Sequence, residues 1–176
     1  MNQKRTILVL GGARSGKSRY ALELAKPFSR KTIIATLEPK DEEMKARIEN
    51  HKRERGPGWR LIEEPIKLAE ALEQALAGTD AVVVDCVTLW ISNLVLAEKT
   101  ENEIVAELEK LCGMAASAAI PLIIVSNEVG QGIVPGDPLS RRFRDLQGKA
   151  NQMMTEVASE VYLMVAGIGL RIKEGK

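Results

Sequence analysis

Two hydrophobic patterns alternate along this chain. The first is a short, unbroken apolar run, seen in Thr6-Ile-Leu-Val-Leu10, Lys31-Thr-Ile-Ile-Ala-Thr36, Ala81-Val-Val-Val-Asp85 and Pro121-Leu-Ile-Ile-Val-Ser126. Runs of this length without polar alternation read as strands buried on both faces, the pattern of a parallel sheet. The second pattern repeats every three to four residues and predicts helices over residues 19–26, 65–77, 101–119 and 139–159. In the helix opened by Pro65, Ile66, Leu68, Ala69, Leu72 and Leu76 form the core stripe and Gly78 closes it. Residues 86–97 are apolar nearly all round, which predicts a helix that is buried or faces another chain. Residues 59–65 read as extended up to a proline, and residues 160–165 and 170–173 as a final strand pair around 166–169. Strands alternating with helices predict an α/β domain with helices on both faces of a mostly parallel sheet.

One segment breaks the pattern. From Glu38 to Pro57 the spacing predicts a helix with Asp41 at its N-cap and Glu42 and Glu43 at its positive end, stopped by Gly56-Pro57. Met44, Ala46 and Ile48 are almost its only apolar side chains, so it is expected to pack weakly. Arg47, His51 and Arg55 fall at i, i+4 and i+8 and share one face. His51 is the chain's single histidine. Two readings stand here: a solvated charged helix, or a neutral imidazole kept unprotonated by flanking arginines that also hold phosphate oxygens.

The chemistry gathers at the carboxyl ends of the strands. Residues 11–18 read Gly-Gly-Ala-Arg-Ser-Gly-Lys-Ser, the G-x-x-x-x-G-K-S phosphate-binding loop, between a strand and a helix as that motif requires. Its glycines let backbone N–H groups turn toward phosphate oxygens, and the helix N-terminus adds partial positive charge. Lys17 reaches the outer phosphates and the Ser18 hydroxyl is a Mg²⁺ ligand. Asp85 ends an apolar strand, the pattern of a second Mg²⁺ ligand. Ala35, Thr36 and Leu37 end another strand, where ligands collect in open α/β sheets. Glu63 and Glu64 stand at the end of the extended segment, and residues 127–138 form a long glycine-rich loop after the fourth strand.

Composition narrows the classes. The 176 residues are 45% hydrophobic with a net charge of +1, which predicts one globular domain across residues 1–176 and gives no global pull toward nucleic acid. No apolar run approaches the roughly 18 residues of a membrane span, and the run after the basic N-terminus is too short for a signal peptide. Cys86 and Cys112 have no metal or redox spacing, so reduced thiols and a cytoplasmic location are expected.

Together these stretches resemble the bifunctional adenosylcobinamide kinase/adenosylcobinamide-phosphate guanylyltransferase family. The resemblance is carried by residues 11–19, Ile34-Ala-Thr36, Ala46-Arg-Ile-Glu-Asn-His-Lys52, Trp59 to Glu63, and the strand ending at Asp85. It continues through Ser126-Asn-Glu-Val-Gly-Gln-Gly-Ile-Val-Pro135, residues 142–152 and Gly167-Ile-Gly169. It implies a three-layer P-loop NTPase fold with a RecA-like sheet. It also implies phosphorylation of adenosylcobinamide by ATP or GTP, transfer of GMP from GTP to the product through a histidine intermediate, and a homotrimer. The nucleophile so implied is His51, where some relatives have two adjacent histidines and this chain has Asn50-His51. The implied nucleotide site comprises Gly11, Gly12, Ala13, Arg14, Ser15, Gly16, Lys17, Ser18, Ala35, Thr36, Leu37, Lys52, Arg53, Glu54, Arg55, Glu63 and Asp85. Lys17 has a catalytic role, and Ser18 and Asp85 hold Mg²⁺. A carboxylate at Glu63 suits guanine, because it accepts from both N1–H and the 2-amino group. Two rival readings differ in chemistry: a P-loop kinase of another small molecule, and a nucleotide switch or motor. The near-neutral charge argues against a motor, and covalent labelling by GTP separates the rest.

Overall fold

A computed structural model of the chain describes residues 5–38 and 58–175. The helix predicted over the 38–57 stretch, with His51, Lys52, Arg53, Glu54 and Arg55, lies outside the described residues except for Glu38. The described part is a single seven-stranded sheet in the order β3-β2-β4-β5-β1-β6-β7. Its strands are β1 (Thr6–Gly11), β2 (Lys31–Ala35), β3 (Trp59–Glu63), β4 (Ala81–Asp85), β5 (Leu122–Val125), β6 (Glu160–Val165) and β7 (Ile168–Lys173). All neighbouring pairs are parallel except β6–β7, which is antiparallel. The helices are α1 (Lys17–Ala25), α2 (Leu68–Leu76), α3 (Val87–Leu96), α4 (Glu101–Ser117) and α5 (Pro138–Val157).

Strand alternation builds the two faces. On β1, Leu8 and Leu10 point into one core with the helices α2 to α5, while Ile7 and Val9 point into a second core with α1. The first core is the larger and holds the fully buried Trp90, Leu72, Leu108 and Leu111. In the second, Ala21 and Ala25 are fully buried. Their small side chains let α1 lie close to the sheet, which sets the height of the loop that precedes it. Layers of helix, sheet and helix confirm the three-layer arrangement.

Within the described residues the expected elements are present, with three instructive shifts. The helix assigned to begin at Pro65 begins at Leu68, because the Glu64 carboxylate accepts from the amides of Ile66 and Lys67 at 2.9 and 2.8 Å and holds residues 65–67 in a bend. The all-apolar helix α3 is a core helix: Val87, Trp90, Ile91, Leu94 and Val95 are buried within this chain. The last strands close on a two-residue turn, Ala166 and Gly167, both at positive φ. They extend two residues closer to each other than the sequence pattern indicates.

Candidate active site

The carboxyl edge of the parallel sheet lines up the predicted residues. Glu63 is in register with Ala35, Ala35 with Asp85, Asp85 with Val125, and Val125 with Val9. With strands about 4.8 Å apart, this row runs about 19 Å from the acidic end of β3 to the strand that feeds the phosphate loop. Glu63 is exposed and Asp85 half-buried. The row brings together groups far apart in sequence: one carboxylate at the outer edge, one near the centre, and the loop beyond.

The phosphate loop is held from several sides. Gly11 has φ 147° and Gly16 has φ 95°, conformations that a side chain rarely adopts. A Cβ on Gly11 would stand 2.5 Å from the Met164 carbonyl oxygen. Arg14 also takes a positive φ at the exposed tip. The Ser15 amide donates to the Gly12 carbonyl at 3.3 Å, and the Tyr20 amide to the Gly16 carbonyl at 3.0 Å. Lys17 is buried, and its Nζ donates to the Gly12 carbonyl across the loop and to Ser15 Oγ at 3.4 Å. Gly12 and Ala13 are exposed. Ser18 follows in the first turn of α1, which carries no side-chain cap at Gly16. Those first-turn amides are the anion-binding end of the helix.

Thr36 serves the site structurally. Its hydroxyl donates to the Cys86 carbonyl at 2.7 Å and accepts from the Cys86 amide at 2.9 Å. Its amide donates to the Asp85 carbonyl at 3.1 Å, and its carbonyl accepts from Asn93 Nδ2 at 2.8 Å. This clamp holds the turn after β2 against the end of β4, with Ala35 and Leu37 half-buried on either side. The Asp85–Cys86 peptide is cis. Burial, with the Asp85 charge beside it, pushes the Cys86 thiol up to about 12, so this neighbour of Asp85 stays a neutral thiol.

Ser18 and Asp85 offer oxygen donors only, the type a hard cation takes. Among the described residues no group of three or more His, Cys, Asp or Glu side chains gathers as a protein-only metal cage. A hydroxyl and a carboxylate are donor types that suit Mg²⁺, which typically keeps few protein ligands and shares substrate phosphate oxygens.

Sequence reasoning missed two features. The β6–β7 turn is fastened to the phosphate loop: the Gly167 amide donates to the Ser15 carbonyl at 3.0 Å, and Gly167 Cα stands 3.3 Å from where a Gly16 Cβ would lie. Gly169 leaves room for the Tyr20 ring, which packs on Tyr162 with centroids 5.3 Å apart. The second is a buried polar cluster beneath residues 127–138, made of Ser126, Gln147 and Asn151. The only sequence signal for it was the unusual pair of amides on the core stripe of α5. Arg141 of α5 braces this loop, donating to the carbonyls of Pro135 and Gly136 at 3.0 and 2.7 Å, whereas Arg142 donates to the Lys99 carbonyl between α3 and α4. A cleft of about 330 Å³ between α2, α3 and α4 lies on the helical layer, and its lysines Lys67 and Lys99 pair with Glu70 and Glu103. None of its lining residues belongs to the row of strand ends or to the phosphate loop.

Residues 7–172 match the family model described as cobinamide kinase/cobinamide phosphate guanyltransferase. The chain is 39% identical over 179 residues to an Escherichia coli (strain K12) protein named bifunctional adenosylcobalamin biosynthesis protein, covering 95% of this chain and 99% of the relative. A Salmonella typhimurium protein of the same name is 40% identical, with the same coverage. Among solved structures, a KaiC-like protein of Pyrococcus horikoshii superposes with a TM-score of 0.52 at 15% identity, over 92% of this chain and 71% of that one. That last likeness is one of fold.

Proposed function

This chain belongs to the cobinamide kinase/cobinamide phosphate guanyltransferase family, and from that premise we propose how its own residues divide the work. The protein is a bifunctional transferase of cobalamin biosynthesis: it phosphorylates adenosylcobinamide and transfers GMP to the phosphate so formed. The observation that carries the residue assignment is the single row from Glu63 through Ala35 and Asp85 to Val9. A carboxylate that suits guanine then stands at one end and a phosphate loop at the other.

In the kinase step ATP or GTP places its phosphates in the loop amides of residues 11–18. Lys17 meets the outer phosphate oxygens, and the substrate hydroxyl attacks the terminal phosphorus. When bound, Mg²⁺ supplies neutralisation of phosphate charge, held by the Ser18 hydroxyl and the Asp85 carboxylate. In the guanylyl step the His51 imidazole attacks the α-phosphorus of GTP. A P–N bond forms, the bond to the bridging oxygen breaks, and pyrophosphate leaves. A phosphate oxygen of adenosylcobinamide phosphate then displaces the imidazole and yields adenosylcobinamide-GDP. Lys17 and the loop amides stabilise the leaving pyrophosphate. Lys52, Arg53, Glu54 and Arg55 flank the nucleophile and complete the nucleotide site with Leu37 and Thr36. Support for His51 comes from the sequence: it is the chain's one histidine and stands in the segment that resembles the family. The same resemblance supports a cytoplasmic homotrimer. Ile168, Leu170 and Ile172 leave apolar surface on the edge strand β7 for such an assembly.

The test is covalent labelling. GTP carrying a labelled α-phosphate is incubated with the protein and Mg²⁺, and the protein is then denatured. Acid-labile label on the wild type and none on His51→Ala is the expected result. A folded, GTP-binding protein that retains no label would remove the guanylyl-histidine step.

A further inference from the structure

The buried cluster at the end of β5 has no role in the functions assigned so far. Ser126 and Gln147 are fully buried and Asn151 nearly so. Ser126 Oγ donates to Asn151 Oδ1 at 2.7 Å, and Gln147 Nε2 donates to both at 2.8 and 2.9 Å. Gln147 Oε1 is buried without a hydrogen-bond partner. Apolar side chains would stabilise this part of the core at lower cost, since every buried polar group must be satisfied. What the cluster does is aim one amide. Asn151 Nδ2 donates to the Asn127 carbonyl at 3.0 Å and to Glu128 Oε1 at 2.6 Å. The Glu128 amide donates to the Gly11 carbonyl at 3.1 Å, at the first residue of the phosphate loop.

Glu128 is thus pinned twice, through its backbone to the loop and through its side chain to the core. Among the described residues Asn151 is its one side-chain partner, and it touches one carboxylate oxygen. A neutral amide orients a carboxylate without cancelling its charge, unlike the guanidinium of Arg5, which clasps Glu160. Three other acids at this edge are committed or remote. Glu64 caps the turn before α2. Glu63 stands at the far end of the row, about 19 Å from β1. Asp85 is the residue assigned to Mg²⁺, and a carboxylate on a cation is a poor proton acceptor.

We propose that Glu128 is the general base of the kinase step and that Asn151 is its positioning residue. This rests on the kinase reading above and names the group it left open. The substrate hydroxyl oxygen forms a bond to the terminal phosphorus of the nucleotide. The bond from that phosphorus to the bridging oxygen breaks and the nucleoside diphosphate leaves. The hydroxyl proton passes to Glu128 Oε2 and then to water after product release.

The test measures adenosylcobinamide-dependent release of ADP from ATP by the full chain, with nucleotide affinity measured separately. Glu128→Gln keeps the acceptor that Asn151 meets and should fold. It is expected to lower kcat by about 10²- to 10⁴-fold, the range of a lost general base, with nucleotide Kd within about threefold. Asn151→Ala is expected to lower kcat by about tenfold or more, while the double variant is no slower than Glu128→Gln alone, because Asn151 acts only through Glu128. A Glu128→Gln enzyme within about tenfold of wild type overturns the proposal. Loss of rate and nucleotide affinity together also overturns it, as does an additive double variant. A wild-type protein that binds ATP but shows no cobinamide-dependent turnover fails earlier, in the kinase reading itself.

Discussion

Thr36 and Cys86 are joined twice through one hydroxyl, which donates to the Cys86 carbonyl at 2.7 Å and accepts from its amide at 2.9 Å. The two residues are 50 apart in sequence. The pair locks the turn after β2 to the residue that follows Asp85. Thr36→Val keeps the shape and removes both bonds, leaving the buried Cys86 amide and carbonyl to find other partners. The expected cost is about 2–4 kcal/mol, read as a lower melting temperature, with a weaker nucleotide Kd because Ala35 and Asp85 lose their clamp. Thr36→Ser keeps the hydroxyl and should lose about 1 kcal/mol or less. A larger loss in Thr36→Ser than in Thr36→Val would show that the methyl group, not the bond pair, matters.

Gly11 and Gly12 should respond unequally to alanine. Gly11 has φ 147°, and its added Cβ would meet the Met164 carbonyl at 2.5 Å and Ser15 Oγ at 2.7 Å. The carbonyl is backbone and cannot swing aside. Gly11→Ala is expected to destabilise by about 1–3 kcal/mol and to weaken nucleotide binding. Gly12 has open space around its Cβ position, so Gly12→Ala should alter stability by about 0.5 kcal/mol or less. Thermal unfolding of the two variants side by side decides this.

Lys17 acts as a compact charge in a buried position, with 7% of its surface exposed. Lys17→Ala is expected to lower kcat/KM by about 10²-fold or more for both phosphoryl and guanylyl transfer, while the protein stays folded. Lys17→Arg should not rescue it, because a planar guanidinium does not fit where one ammonium reaches Gly12 and Ser15. An arginine variant with activity near wild type would mean that charge alone suffices there.

Glu160 sets an acid limit to stability. Its carboxylate accepts from Arg5 and from Tyr162 Oη, the latter at 2.8 Å, with Arg171 3.9 Å away. The Arg5 hydrogen bonds hold it below the ordinary carboxylate range, against the opposing effect of burial. Because the folded-state pKa is depressed, the stabilisation is complete above the unfolded value of about 4.3 and is lost as pH falls through the folded value. Glu160→Gln should cost about 1 kcal/mol at pH 7 and make the melting temperature less steep against pH below about 4.3. A variant whose acid profile matches the wild type would place the acid sensitivity elsewhere.

The parts of this protein that are legible in its sequence are those with local causes. The buried strands show as unbroken apolar runs because both their faces are covered. The phosphate loop shows because its glycines, lysine and serine act within one turn of chain. The helices show through their period. The displaced start of α2 went unread because the Glu64 side chain competes with the helix for two amides, and Pro65 is equally at home in either arrangement. Asn151 and Gln147 went unread because an amide on a helix face becomes a device only when a particular strand end lies opposite.

By itself, then, the sequence determined the kinds of elements, the phosphate-binding chemistry and, through motifs spread along nearly its whole length, the family. Only the tertiary structure decided the order β4-β5-β1. That order inserts β5 between the Asp85 strand and the strand of the phosphate loop, and carries Glu128 to the Gly11 carbonyl. It also decided the register that sets Glu63, Ala35 and Asp85 in one row. Strand order and register arise from which buried faces and turns satisfy one another at long range. A stretch of sequence therefore declares its own strand plainly and its neighbours hardly at all.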